Sequence, residues 1–307
     1  MNLTKLVDTA CNKDKFLTVS SYFDFAKAYL EFIKDHLQAV IVSRNENHYR
    51  FFQYKAEGTF NVTRPINANL MYALEEMEKS IDSFGKILQN VKNQDYDTPE
   101  NREILNRSIY TAQQCIGAAL DALPASRANT ARKINGDLFE RLIRLIIAEV
   151  NVNVSQGVIR VPVKIDGEVA FHMSYQHDLV IKVDENVRAI GSVKTSSKDR
   201  LDKVFVDKFL YNRLTELSTP HFAVFLNDVQ RKGKNGKYGI NATFLPGHFK
   251  GYTIKLNPLD GVYYFDIRPN MQTEDILKDH IKTFDHFLFV DMWKFLSEEK
   301  PEAGYVY

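Results

Sequence analysis

Gln176-His177-Asp178-Leu179-Val180-Ile181-Lys182-Val183 is followed, after the turn-forming Asp184-Glu185-Asn186, by Arg188-Ala189-Ile190-Gly191-Ser192-Val193-Lys194-Thr195. Both runs are rich in β-forming residues, so together they predict a hairpin. That pairing sets Asp178 beside a strand carrying Ser192 and Lys194, which are two apart and therefore point to the same side of the sheet. A carboxylate in that position suits a divalent ion, and a neighbouring lysine suits positioning or deprotonating a water.

Two further acids fall into phase with this centre. Asp202 to Leu217 reads as a helix in which Asp207 shares a stripe with Val204, Leu210, Tyr211 and Leu214. An acid on such a stripe faces the interior, where a carboxylate needs a metal or a cation as its partner. Upstream, Gly136-Asp137-Leu138-Phe139-Glu140 lies in another helix, with Glu140 on the stripe of Ile143 and Ile147 and so also turned inward. Taken singly, each residue has an ordinary structural reading as a turn, cap or solvated helix residue. Their order along the chain carries more than any one of them.

That order resembles the permuted active site of type II restriction endonucleases of the PD-(D/E)XK superfamily, in the group reading CCGG, CCNGG or CCWGG cores (NgoMIV and EcoRII relatives). The acid usually found two residues before the lysine is replaced by Ser192, a poor Mg²⁺ ligand, and Asp207, thirteen residues after Lys194, stands where that group places the relocated carboxylate. The Gly-x-x-Phe-Glu of the group is matched by Gly136 to Glu140. The resemblance implies a mixed α/β core with a central sheet flanked by helices. It implies Mg as cofactor, with Asp178, Asp207 and Glu140 as metal ligands and Lys194 and Ser192 completing the catalytic set. It also implies double-stranded DNA as substrate, a homodimer or a tetramer as the assembly, a prokaryotic cytoplasmic setting and a cognate DNA methyltransferase as functional partner.

Specificity extends the likeness. In the resembling group a short charged tripeptide after the lysine reads C:G pairs, and here Lys198-Asp199-Arg200 occupies that place. Cationic donors suit guanine O6 and N7, and a carboxylate suits cytosine N4, so the alternation fits adjacent C:G pairs in the major groove. Lysine stands first where arginine is common in the group. Members that ignore a central base flip it into a pocket of an aromatic ring and an arginine, for which Arg50 and Tyr54 are the candidates here. Two other readings stay open: a sequence-specific DNA-binding protein on a decayed nuclease fold, and a structure-specific repair nuclease. Neither needs a paired C:G reader.

Composition sets outer limits. The chain has 307 residues, 44% hydrophobic and 26% charged, with 40 Lys+Arg against 39 Asp+Glu. Near-neutrality argues against indiscriminate coating of nucleic acid, though not against a specific reader with basic groups confined to a cleft. Cys11 and Cys115 give no disulfide framework, and His172 and His177 lack partners at zinc spacing. The start lacks a signal-peptide layout, and no apolar run approaches membrane-spanning length.

The remaining pattern predicts a mostly helical region, 1–125, and a strand-rich region, 126–307; the resemblance implies DNA binding and dimerisation for the first and a catalytic core for the second. Residues 44–65 interrupt the helices with an aromatic, basic stretch. Within the core, strands are expected near Val158-Ile165, Val169-Met173, His177-Val183, Arg188-Thr195, His221-Val229, Ile240-Leu245, Tyr252-Lys255 and Val262-Ile267, with a last helix from about Thr273 to Leu296. The basic clusters Arg127 to Lys133 and Arg231 to Lys237 are candidates for phosphate contact, the latter as a glycine-rich loop.

Overall fold

A computed structural model describes residues 2–56, 59–198, 200–232 and 238–297. The chain begins with helices α1 (Leu3–Cys11) and α2 (Val19–His36), the second closed by a Thr18/Ser21 capping box. The aromatic, basic interruption is a four-stranded antiparallel sheet of β1 (Ala39–Val42), β2 (Tyr49–Ala56), β3 (Thr59–Val62) and β4 (Ile66–Asn67). Helices α3 (Leu74–Gln89), α4 (Pro99–Leu120) and α5 (Ala128–Glu149) follow. Thr98 caps α4 and Pro99 opens it, where a missing N–H costs nothing. Every residue of α4 from Ile109 to Leu120 is buried, as expected of a helix surrounded by others.

The central sheet comprises β5 (Asn153–Ile165), β6 (Glu168–Val183), β7 (Asn186–Ser196), β8 (His221–Asn227), β11 (Gly261–Tyr264) and β12 (Ile281–Thr283) in the order β12-β11-β8-β7-β6-β5. Between these lie α6 (Leu201–Thr215), a small ribbon of β9 (Val229–Arg231) with β10 (Ile240–Ala242), and α7 (Pro246–Lys255); α8 (Pro269–Thr273) and α9 (Leu277–His280) precede β12. β5, β6 and β7 pair antiparallel, whereas β7, β8, β11 and β12 run parallel. The parallel step from β7 to β8 requires a crossover, and α6 supplies it. This is the mixed sheet flanked by helices that the motifs imply.

Alternation along β8 shows why the sheet is covered on both sides. Phe222, Val224 and Leu226 join Leu138, Phe139, Leu142 and Ile146 of α5 in the main core, while Ala223 and Phe225 join Leu201, Val204 and Phe205 of α6. The main core also takes in α1, α2, α3 and α4. The expected boundary at 125/126 falls in the single turn Ala125–Arg127 between α4 and α5, and apolar packing is continuous across it. Buried Asp266, just beyond β11, accepts from Tyr49 Oη at 2.8 Å and Asn67 Nδ2 at 2.7 Å, tying the amino-terminal sheet to the central one.

Three expectations about elements are corrected. The runs Val169-Met173 and His177-Val183 form one strand, β6, because the polar residues between them continue the pairing with β5. Tyr252-Lys255 is helical: Pro246 starts α7, and Phe249 and Thr253 are buried one turn apart. The long last helix is broken, with Ile276 at φ 72° and residues 281–283 paired to β11, before helix resumes through residues 284–296 with a π-turn at Phe287–Asp291.

Two stability effects follow from the packing. A Cβ at Gly191 would lie 2.5 Å from the fully buried Phe222 ring. Gly191→Ala is expected to destabilise the fold by about 1–3 kcal/mol through overpacking, read as a lowered thermal midpoint; an unchanged midpoint would contradict the packing. Asp228 is 2% exposed, and burial lifts its carboxyl pKa to about 7 even with Arg268 nearby. A carboxyl whose folded pKa is raised favours the protonated native state, so its contribution is full below about pH 4 and is lost as pH rises through about 7. The unfolding free energy of the wild type is expected to fall over that window relative to Asp228→Asn; parallel pH profiles would refute this.

Candidate active site

The site forms where two strands part. Pairing of β6 with β7 runs from Val183↔Asn186 to Leu179↔Gly191 and ends there, leaving Asp178 and Ser192 beyond the ladder. On the other side of β6, Ser155↔Val180 is followed by Gly157↔His177, so Gln156 alone stands opposite Asp178 and Leu179. This bulge re-aims the Asp178 side chain. Its Oδ2 then accepts the Val193 backbone N–H at 2.8 Å, a donor that β6 no longer pairs.

Lys194 closes the arrangement. Its ammonium donates to Asp178 Oδ2 at 2.5 Å and to Glu140 Oε1, brought in by α5, at 2.8 Å. All three side chains are partly buried. Burial and the Asp178 charge raise the Glu140 pKa against the opposing pull of Lys194. For Lys194, burial acts downward, yet the two carboxylates carry its pKa above the ordinary value, so the lysine is held charged. Two carboxylates that converge on one positive centre where β6 and β7 part are hard-oxygen donors, the class of ligand Mg²⁺ takes. Among the described residues no three His, Cys, Asp or Glu side chains are gathered as a ready metal cluster.

The other expected residues are placed less centrally. Of the stripe expected to carry Asp207, Leu210, Tyr211 and Leu214 pack with Tyr175 and Ile190, whereas Val204 joins the cluster of Leu201 and Phe205. The Asp207 carboxylate is 23% exposed, pairs with Lys203 one turn earlier, and exerts its charge on His177, the neighbour of Asp178. Ser192 is half-buried on β7. Lys198 and Arg200 are exposed at the start of α6, with Lys198 Nζ 3.3 Å from Gln230 Oε1. Asp199 lies outside the described residues, as do residues 233–237 of the glycine-rich loop. His177, with its pKa lowered mainly by burial, stacks on Tyr175; His172 is exposed.

Arg50 and Tyr54 do not form the expected stacking pocket. Arg50 is exposed, whereas Tyr54 is fully buried, edge-on to Phe32 and donating its hydroxyl to Ala118 O at 3.0 Å. The strand alternation that puts both on one face of β2 says nothing about how α2 and α4 cover one end of that face.

Sequence reasoning missed the cleft beside the centre. A concavity of about 350 Å³ is lined by Glu140, Asp178 and His177 together with Lys13, Arg141, Arg144 and Gln156. The signal was Arg141 and Arg144, one and four residues after Glu140 on the same helix.

No family model and no curated protein matches the sequence. Among solved structures the fold is of the restriction-endonuclease type. The type IIP restriction endonuclease Kpn2I superposes with a TM-score of 0.71 over 95% of this chain and 97% of its own, at 17% identity. The restriction endonuclease PspGI, in a complex with substrate DNA, matches with a TM-score of 0.41 over 72% of this chain and 92% of its own, at 12% identity. Among the described residues, no helix is long and apolar enough to cross a membrane.

Proposed function

We propose that the protein is a Mg²⁺-dependent type II restriction endonuclease that cuts double-stranded DNA at a palindromic site containing a CC:GG element. The observation that carries this reading is Lys194 held between Glu140 and Asp178 where β6 and β7 diverge. A fold shared with Kpn2I along nearly the whole chain supports it.

In this reading Asp178 and Glu140 would hold the cation, and Asp207 would provide the carboxylate that Ser192 cannot. When bound, the cation offers Lewis-acid charge to the scissile phosphate and makes a water more acidic. Asp178 is fixed for its role by the Val193 N–H. Lys194, kept charged by its neighbours, orients the attacking water or stabilises charge developing on the phosphate oxygens. Lys198 and Arg200, exposed at the head of α6, read guanine edges, with Asp199 between them on cytosine. Cutting both strands of a palindrome takes two such sites related by twofold symmetry, so the working form is at least a homodimer. A methyltransferase of the same specificity would protect the host DNA.

The test is digestion of a plasmid of known sequence with purified protein and Mg²⁺, followed by mapping of the ends. Discrete fragments whose termini share one palindrome containing CC:GG are expected. Degradation without common termini would favour a structure-specific nuclease, and tight selective binding without nicking would favour a decayed, binding-only fold.

A further inference from the structure

Among the described residues, Arg141 and Arg144 pair with no carboxylate, although both line the cleft beside Glu140 and Asp178. Arg141 is accounted for structurally, since its Nη1 donates to the backbone carbonyls of Lys13 and Phe16 and so pins the amino-terminal turn to α5. Lys13 is also engaged, with Asp137. Arg144 differs. Its hydrogen-bond partner among the described residues is Gln156, a neutral side chain, through Nη1. Glu140, one turn earlier on α5, is already committed to Lys194. A guanidinium carries five donors and a permanent charge, and here it stands partly withdrawn from water with Arg141 as a like-charged neighbour, which lowers its pKa. Among the described residues no anion bonds this group, and the charge of Glu140 reaches it only through space.

We propose that Arg144 binds a backbone phosphate of the cleaved DNA strand next to the scissile one, positioning that strand over the Glu140–Asp178–Lys194 centre. The inference rests on the DNA-cleaving reading above. A phosphate offers the paired oxygens that a guanidinium fork matches. Four residues of α5, about 6 Å of rise, separate Arg144 from Glu140, so the clamp and the reacting centre sit on one rigid element. Gln156, opposite the β6 bulge, holds the guanidinium toward the cleft. Arg144 is thus a positioning residue, acting on the substrate's path and not on the bond that breaks.

The experiment pairs Arg144→Gln with a series of DNA duplexes carrying a single neutral methylphosphonate at successive positions along the cleaved strand. Affinity is measured with Ca²⁺ in place of Mg²⁺, across a range of salt. The variant is expected to bind natural duplex roughly tenfold more weakly, with the slope of log K against log salt reduced by about 1. With Mg²⁺, KM should rise by more than kcat falls. At one methylphosphonate position beside the cut, the wild type should lose affinity and Arg144→Gln should lose no more. Arg144→Lys, which keeps the charge, should restore the salt slope. If Arg144→Gln fails to fold, the wild-type series decides, since a position of lost affinity beside the cut is still required. Wild-type cleavage together with an unaltered salt slope in the variant, or with equal losses in both proteins at every neutral position, overturns the role of Arg144 alone. A wild type that neither binds nor cuts DNA overturns the functional reading with it.

Discussion

Lys194→Ala is expected to lower DNA cleavage by roughly 10²–10³-fold or more, the scale seen when a single charge-stabilising donor is removed from a reacting centre. Among the described residues the ammonium is the one group that bonds both Glu140 and Asp178, at 2.8 and 2.5 Å. Without it the two carboxylates face each other uncompensated, and in the proposed reading the scissile phosphate loses a fixed positive charge. Binding should survive, because Lys198 and Arg200 stand apart from the centre at the head of α6. The measurement is single-turnover cleavage of a labelled duplex alongside a binding titration in Ca²⁺. Full cleavage by the variant would reject the assignment of the site.

Asp207→Asn should cost about 10²-fold in cleavage if Asp207 supplies the carboxylate missing at Ser192, again on the scale of one charged group acting on the transition state. The structure gives this prediction a sharper companion. Lys203 is the residue paired with Asp207, so Lys203→Ala frees the carboxylate and should leave cleavage intact or raise it. Moving the acid back to the strand, in Ser192→Asp combined with Asp207→Asn, should recover part of the loss if both positions serve one cation. Undiminished cleavage in Asp207→Asn would show that Glu140 and Asp178 suffice, and absence of any recovery in the double variant would separate the two positions.

The centre was legible in the sequence to the extent that it lies on regular elements. Asp178 and Lys194 are read from two adjoining β runs, and Glu140 from helical phase on α5, and the three meet as that phase implies. Less legible was what depends on tertiary cover. Tyr54 and Arg50 share a strand face, yet α2 and α4 bury one and leave the other in solvent. Asp207 has the right phase, but phase does not reveal that Lys203 lies one turn away to take its charge. The bulge opposite Gln156 has no sequence signature, although it aims Asp178 and places the partner of Arg144. The broken carboxy-terminal helix was hidden for a related reason: short helices around β12 keep a helical spacing of apolar residues while the strand between them joins the sheet.

Glu140, Asp178 and Lys194 are expected to form a cation-dependent cleavage centre. Anomalous scattering from Mn²⁺ in crystals of the protein bound to a duplex containing its site locates the cation. A peak ligated by Asp178, with Glu140 or Asp207 as a further protein ligand and a phosphate oxygen completing the set, is the result expected. A peak held by other residues, or none at Asp178 with the duplex in place, would rule out this centre.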